Sequence, residues 1–234
     1  MSLYAVRAGH TTGIFKSWPE CQKQILNYKG AEYRKFGNVV DAENFMKRIE
    51  PEPLSDIRHS HYNAEYNYSP HLWNKYENEY YIFTDGSAKG SAKSKVLRFA
   101  IFLGFAELNI SELTNEATNN RCELLAIQRT LEILNRTAPD LTANILSDSE
   151  YSVKSCNIWI SKWKRNSWKT ANNTDVANRD IMEKLDQLMG ELKHKHIKFT
   201  IQHIRSHESA PSNPKDFFMW RGNYIADQLA QDLI

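Results

Sequence analysis

Between residues 79 and 234 the chain places β-forming segments first and helical periods after them, and this order restricts its fold more than any other feature. Tyr80-Tyr-Ile-Phe-Thr84 and the stretch 96–105 are rich in β-branched and aromatic residues, and the second is long enough to be buried on both faces. A helix fits 120–134, with Leu124, Ile127, Leu131 and Leu134 on one stripe. A strand at 143–146, a short helix from about Ser149, a helix over 176–192, a strand at 197–204 and a last helix over 223–233 follow. Strands succeeded by interleaved helices predict an α/β (α+β) architecture, a mixed sheet with helices on its faces.

The first 49 residues have a different rhythm. Two short strands flank Gly9-His-Thr-Thr-Gly13, a glycine-punctuated hairpin connection. Ser17-Trp-Pro-Glu20 has capping-box spacing, and a third strand fits 31–36. Asp41 can cap a final helix whose Ala42, Phe45, Met46 and Ile49 share a face, so the segment predicts a compact ββαβα unit. Residues 50–78 contain Pro51, Pro53 and Pro70 and show neither helical nor strand period, which predicts a flexible linker.

The chain as a whole is nearly neutral, with 30 Lys and Arg against 28 Asp and Glu, which taken alone argues against a nucleic-acid partner. The charges are zoned, however: eight basic against four acidic residues in 1–49, two against five in 50–78, and 20 against 19 in 79–234. A 41% hydrophobic content excludes a wholly disordered chain. No apolar run approaches the roughly 20 residues of a membrane span, and the start lacks a signal-peptide core, so a soluble, intracellular protein without a membrane partner is expected. Cys21, Cys122 and Cys156 are too scattered for a disulfide framework or a zinc site and are expected to be reduced and buried.

Four acidic residues fall at element ends. Asp85 ends the first strand in Thr84-Asp-Gly-Ser87, Asp148 follows a later one in Ser147-Asp-Ser-Glu150, Glu123 lies early in the long helix, and Asp227 lies near the start of the last. If the two strands are neighbours, Asp85 and Asp148 emerge side by side, and hard oxygen ligands of this kind hold Mg²⁺. Each also has a structural explanation: Asp85-Gly86 is a common turn pair, Asp148 can cap a helix, Asn120-x-x-Glu123 has capping-box spacing, and Asp227 can be a helix-face charge.

Together, Tyr81-Ile-Phe-Thr-Asp-Gly-Ser87, Ala117-Thr-Asn-Asn-Arg-Cys-Glu-Leu-Leu-Ala-Ile127, Ser147-Asp-Ser-Glu-Tyr151 and Tyr224-Ile-Ala-Asp-Gln-Leu-Ala230 resemble the motifs of the type 1 ribonuclease H family, over 79–234. Residues 1–49 separately resemble that family's small RNA–DNA hybrid-binding domain, through Tyr4-Ala-Val-Arg7, Thr12-Gly-Ile-Phe15, Ser17-Trp18, Glu20-Cys21 and Tyr33-Arg-Lys-Phe36. The resemblance implies a ribonuclease H-like mixed five-stranded sheet after a hybrid-binding domain. It makes Asp85, Glu123, Asp148 and Asp227 metal-binding catalytic carboxylates and His207 a mobile-loop proton-transfer residue. It further implies two Mg²⁺ ions, replaceable by Mn²⁺, and endonucleolytic hydrolysis of the RNA strand of a hybrid, leaving 5′-phosphate and 3′-hydroxyl ends.

For substrate contacts, the resemblance implies that Asn119 and Asn120 read RNA 2′-hydroxyls, to which an amide is suited as both donor and acceptor. Residues 154–169 carry five basic residues, no acid and three tryptophans, a phosphate-binding stripe by composition. The resemblance places Lys164, Arg165, Trp168 and Lys169 there on the DNA strand, with Thr118 and Asn178 in a phosphate pocket. In the first domain it assigns Trp18 and Tyr33 to deoxyribose packing and Arg34 and Lys35 to phosphates. Departures from the family pattern are Glu32, Arg98-Phe99, Glu116 and a long loop over 208–222, whose Phe217, Phe218, Met219 and Trp220 suit either local packing or a lid or partner surface. The alternative function is a non-catalytic hybrid-binding protein, which retention of all four carboxylates disfavours. A monomer is expected, in the nucleus or cytoplasm, since a hybrid-binding module starting near residue 3 leaves no room for a mitochondrial presequence in this form.

Overall fold

The computed structural model describes residues 2–37, 39, 42, 46, 60, 73–91, 94–104, 109–115, 118–136, 141–205, 210, 211 and 213–233. The chain divides into two compact units, residues 1–53 with 208–217, and residues 54–207 with 218–234.

In the first unit, β1 (Leu3–Ala8) pairs antiparallel with β2 (Gly13–Phe15) and β3 (Glu32–Phe36), in the order β2-β1-β3. Helix α1 (Trp18–Ile25) starts where Glu20 Oε2 accepts the Ser17 backbone N–H at 3.1 Å. Strand alternation gives β1 two faces. Leu3 and Ala5 are buried with Ala42, and Ile14, Phe36 and Met46 pack against them. Residues 39, 42 and 46 are helical, in keeping with the expected last helix, while its proposed cap Asp41 lies outside the described residues.

The second unit is built on a sheet of order β7-β6-β5-β8-β9. Strands β5 (Glu79–Ser91), β6 (Ser94–Phe102) and β7 (Ile110–Leu113) are antiparallel neighbours, whereas β8 (Thr142–Ser147) and β9 (Lys198–His203) run parallel to β5. A two-residue strand, β4 (Lys75–Tyr76), also pairs with β5, so the expected five strands become six. Trp73 is buried and bridged to Gly104, and Ser60 is bridged to Ile110, so paired residues occur inside the stretch expected to be linker.

One sheet face is covered by α2 (Asn119–Leu134) and α5 (Arg179–His194): Ile82, Phe99, Ile101 and Ile145 are buried with Leu124, Ile127, Leu131 and Leu185. On the opposite face Tyr81, Phe83, Ala100, Phe102 and Leu146 meet Ile225 and Leu229 of α6 (Pro214–Ala230). Between β8 and α5 lie α3 (Glu150–Lys154), a π-helical turn (Ser155–Trp159) and α4 (Ile160–Arg165).

Helix α6 corrects the expectation of a helix beginning at 223. Asn213 Oδ1 accepts the backbone N–H of Lys215 and Asp216 at 2.9 and 3.3 Å, and Pro214 opens the first turn, so the helix starts nine residues earlier. Phe218 then packs on Tyr76, Tyr81 and Phe83, which makes it a packing residue. Arg98 is explained by its partners. It is buried, donates to Ser111 Oγ at 2.9 Å and pairs with Asp232 at 3.0 Å, while Ser111 Oγ donates to the Leu229 carbonyl at 2.7 Å, tying the end of α6 to the sheet. The three cysteines form no disulfide and are buried, as expected.

Candidate active site

Thr84 of β5 is paired with Ser147 of β8, and Asp85 and Asp148 are the next residues along the two parallel chains, so they emerge side by side. Asp85 does not end its strand as the turn-pair reading required, because β5 continues to Ser91 against β6. Gly86 serves packing instead. A Cβ there would collide with the backbone of Cys122 and Glu123, so its absence lets α2 press against β5 and brings Glu123 to Asp85.

The helix caps leave the acids available. Thr118 caps α2, its Oγ1 accepting the Arg121 N–H at 3.2 Å, in place of the Asn120–Glu123 capping box. Ser149 caps α3 in place of Asp148, accepting the Ser152 N–H at 3.2 Å. Asp227 lies in the second half of α6, a correction to the expectation that it starts the helix. It reaches the site because Gly222 carries no side chain where a Cβ would strike the Phe83 ring, so α6 seats closely on β5. Asp85, Glu123, Asp148 and Asp227, with Asn119 and Ser149, line one open cleft of about 350 Å³.

One carboxylate oxygen each from Asp85, Glu123 and Asp148 lies within 4.8 Å of the other two. Burial, then the charges of Asp148 and Asp227, push Asp85 up to about 8 from its usual 3.8. Burial, then Asp85 and Asp148, push Glu123 well above the usual carboxylate range. Glu123 Oε2 is buried with no hydrogen-bond partner, and Oε1 accepts from Asn119 Nδ2 at 3.5 Å. Converging, mutually repelling oxygen donors, one of them unsatisfied, fit a hard divalent cation, which would replace the retained protons.

The expected substrate residues separate into groups. Asn119 and Asn120 are exposed at the start of α2, and Asn119 lines the cleft. Asn178, left-handed at φ 58°, donates to Tyr151 Oη at 3.3 Å and accepts from Arg121 at 3.3 Å. Arg121 also forks onto Asp180 at 2.9 and 2.7 Å. The region expected to bind a phosphate through Thr118 and Asn178 thus contains a guanidinium that sequence reasoning did not single out, because its partners Asn178 and Asp180 lie far along the chain, at the start of α5.

In the basic stripe, Lys164 pairs with Asp186, Lys169 with Asp175 and Lys154 with Glu150, each at the surface, and Arg165 donates to the Ser161 carbonyl. Exposed pairs of this sort are screened by water, contribute little and yield readily to a phosphate. Trp168, left-handed at φ 60°, is half-buried beneath Arg179, while Trp159 packs on both Tyr151 and Trp163. In the first unit Trp18 (39% exposed) and Tyr33 (46% exposed) have ring centroids 5.7 Å apart, and Tyr4, which sequence reasoning left without a role, adds a third ring 5.6 Å from Trp18. Arg34 and Lys35 are exposed on β3, and Glu32 is engaged by Arg7 at 2.6 Å. His207 and Glu116 lie outside the described residues. His203, at the end of β9, donates from Nε2 to the Asp148 carbonyl at 3.2 Å, a contact visible only once β8 and β9 are paired.

A mixed sheet with a carboxylate cleft where the parallel pairing of β5 with β8 stops defines a protein of the ribonuclease H-like class. Residues 77–234 match the RNase H family and residues 2–46 separately match the ribonuclease H1 N-terminal domain, and the chain belongs to the RNase H family. It is 28% identical to a ribonuclease H of Schizosaccharomyces pombe, covering 97% of this chain and 95% of that protein. It is 34% identical to a ribonuclease H of Nitrosococcus oceani over 65% of this chain and 92% of that one. The solution structure of the PFV RNase H domain shares the fold, with a TM-score of 0.52 at 22% identity over 65% of this chain and 92% of that domain.

Proposed function

We propose that the chain cuts the RNA strand of RNA–DNA hybrids endonucleolytically with two divalent cations, Mg²⁺ by preference, leaving 5′-phosphate and 3′-hydroxyl ends. The observation that carries this reading is the convergence of Asp85, Glu123 and Asp148, with ligand oxygens within 4.8 Å, in a cleft that Asp227 and Asn119 also line. Bound cations would supply a water made nucleophilic near neutral pH and neutralise charge on the leaving oxygen. Asp85, Glu123, Asp148 and Asp227 would hold them.

The chain's other residues select and orient the substrate. Asn119 touches Glu123 through its Nδ2, which leaves its Oδ1 for a ribose 2′-hydroxyl at the cleft and couples RNA recognition to the catalytic carboxylate. Lys164, Arg165, Trp168 and Lys169 present charge and a ring to the DNA strand, and Thr118, Arg121 and Asn178 surround a position suited to one of its phosphates. The Tyr4–Trp18–Tyr33 cluster of the first unit offers ring faces to sugars. The chain acts as a monomer in this scheme.

The test is incubation of end-labelled RNA–DNA hybrid, duplex RNA and duplex DNA with the protein and Mg²⁺, beside Asp148→Asn. Cutting confined to the RNA of the hybrid and lost in the variant is expected. Equal cutting of duplex RNA would overturn the proposed specificity, and hybrid binding without cutting would leave a non-catalytic binding protein.

A further inference from the structure

Asp227 is gripped by two neutral amides. Gln231 Nε2 donates to Oδ1 in a short hydrogen bond, and Gln228 Nε2 donates to Oδ2 at 3.1 Å. Gln231 stands one helical turn beyond Asp227, and its own carbonyl oxygen accepts from Lys89 Nζ at 2.6 Å. Lys89 comes from the far part of β5, the strand that carries Asp85. A hydrogen-bonded chain thus runs from the strand bearing one carboxylate to the helix bearing another.

The order of donors in this chain fixes the Gln231 amide. An ammonium offers hydrogens alone, so it takes the carbonyl end and leaves the NH₂ end facing the carboxylate. The reversed amide would set oxygen against a carboxylate and NH₂ against an ammonium, unfavourable at both ends. Lys89 therefore acts on Asp227 at one remove, without putting a cationic side chain in competition for the carboxylate oxygens. We infer that Lys89 and Gln231 are positioning residues for Asp227, setting its carboxylate for cation binding through the Gln231 amide. This rests on the divalent-cation reading of the cleft given above.

The sign of a charge-removal experiment separates this role from simple electrostatics. Deleting a positive charge near a cation site would by Coulomb's law tighten binding, whereas deleting the anchor of a ligand loosens it. Mn²⁺ is titrated by calorimetry into the full chain, without substrate. Lys89→Met is expected to weaken Mn²⁺ binding by about tenfold, in line with losses of hydrogen-bonded supports to metal ligands. Lys89→Arg, which donates to the same oxygen, is expected to retain most of the affinity. Gln231→Leu should weaken binding comparably, and the double variant should be no weaker than Gln231→Leu, because both act through one bond. Unchanged or tighter binding in Lys89→Met, or additive losses in the double variant, would overturn the inference. A wild-type chain that takes up no Mn²⁺ would overturn the cation reading itself and this inference with it.

Discussion

Replacing Asp85 by Asn should stabilise the protein in chelator, and by more as pH rises. Unfolded, Asp85 releases its proton near 3.8; folded, burial and then the charges of Asp148 and Asp227 push it up to about 8. Between those values the unfolded state is ionised and the native state is not, so each rise in pH costs native stability, at about 1.4 kcal/mol per pH unit. Below the lower value the cost vanishes, and above the higher one it is complete. At pH 5 the cost comes to about 2 kcal/mol and at pH 7 to about 4 kcal/mol. Asn copies the protonated carboxyl in shape and avoids the cost at both pH values. The gain of Asp85→Asn over the wild type should therefore be about 2–3 kcal/mol larger at pH 7 than at pH 5, or roughly 5–10 °C in Tm. Calorimetric melting of both proteins in divalent-free buffer measures it. A gain independent of pH, or a variant less stable than the wild type at pH 7, would refute the reasoning.

Other consequences are equally direct. Millimolar Mn²⁺ should raise the wild-type Tm, by about 2.7 kcal/mol of stabilisation at one hundred times its dissociation constant, and should do much less for Asp85→Asn, as thermal shift with and without chelator would show. Gly222→Ala should destabilise the second unit by about 1–3 kcal/mol through the clash with Phe83 and cut activity further by displacing Asp227, measured by urea unfolding and hybrid cleavage. Trp18→Ala should weaken hybrid binding by about 1–3 kcal/mol and Tyr4→Ala by less, read by fluorescence anisotropy at physiological salt; unchanged affinity in both would remove the aromatic cluster from the interface. Phe83→Ala, which empties a fully buried site, should cost about 3–5 kcal/mol.

Local chemistry made much of this legible in the sequence. The apolar stripe of α2, the β-rich runs of β5 and β6, and the Ser17–Glu20 capping signal are short-range patterns, and the structure holds the elements they predict. The four carboxylates were legible as residues with ordered flanks. Their settings were not. The capping-box spacing at Asn120 and the turn signal at Asp85-Gly86 both gave way, because burial against α2 and continuous pairing with β6 outweigh local preference. The start of α6 was written in Asn213-Pro214 but obscured by the aromatic run after it, which lacks a clean helical period until Tyr76, Tyr81 and Phe83 are seen to receive Phe218. Strand β7 is four residues long and acquires its identity from pairing with β6.

By itself, then, the sequence determined which residue types could hold a cation, in what order they occur, and which segments would be strands or helices, since all of these depend on side-chain chemistry and spacing along the chain. Only the tertiary structure decided that Asp85 and Asp148 stand abreast through the Thr84–Ser147 register and that Gly86 and Gly222 admit α2 and α6 to the sheet. It alone also decided that Asp85 keeps its proton to about 8 and that Lys89 reaches Asp227 through Gln231. Those outcomes depend on distances and desolvation between residues far apart in the chain, and such quantities have no value until the chain is folded.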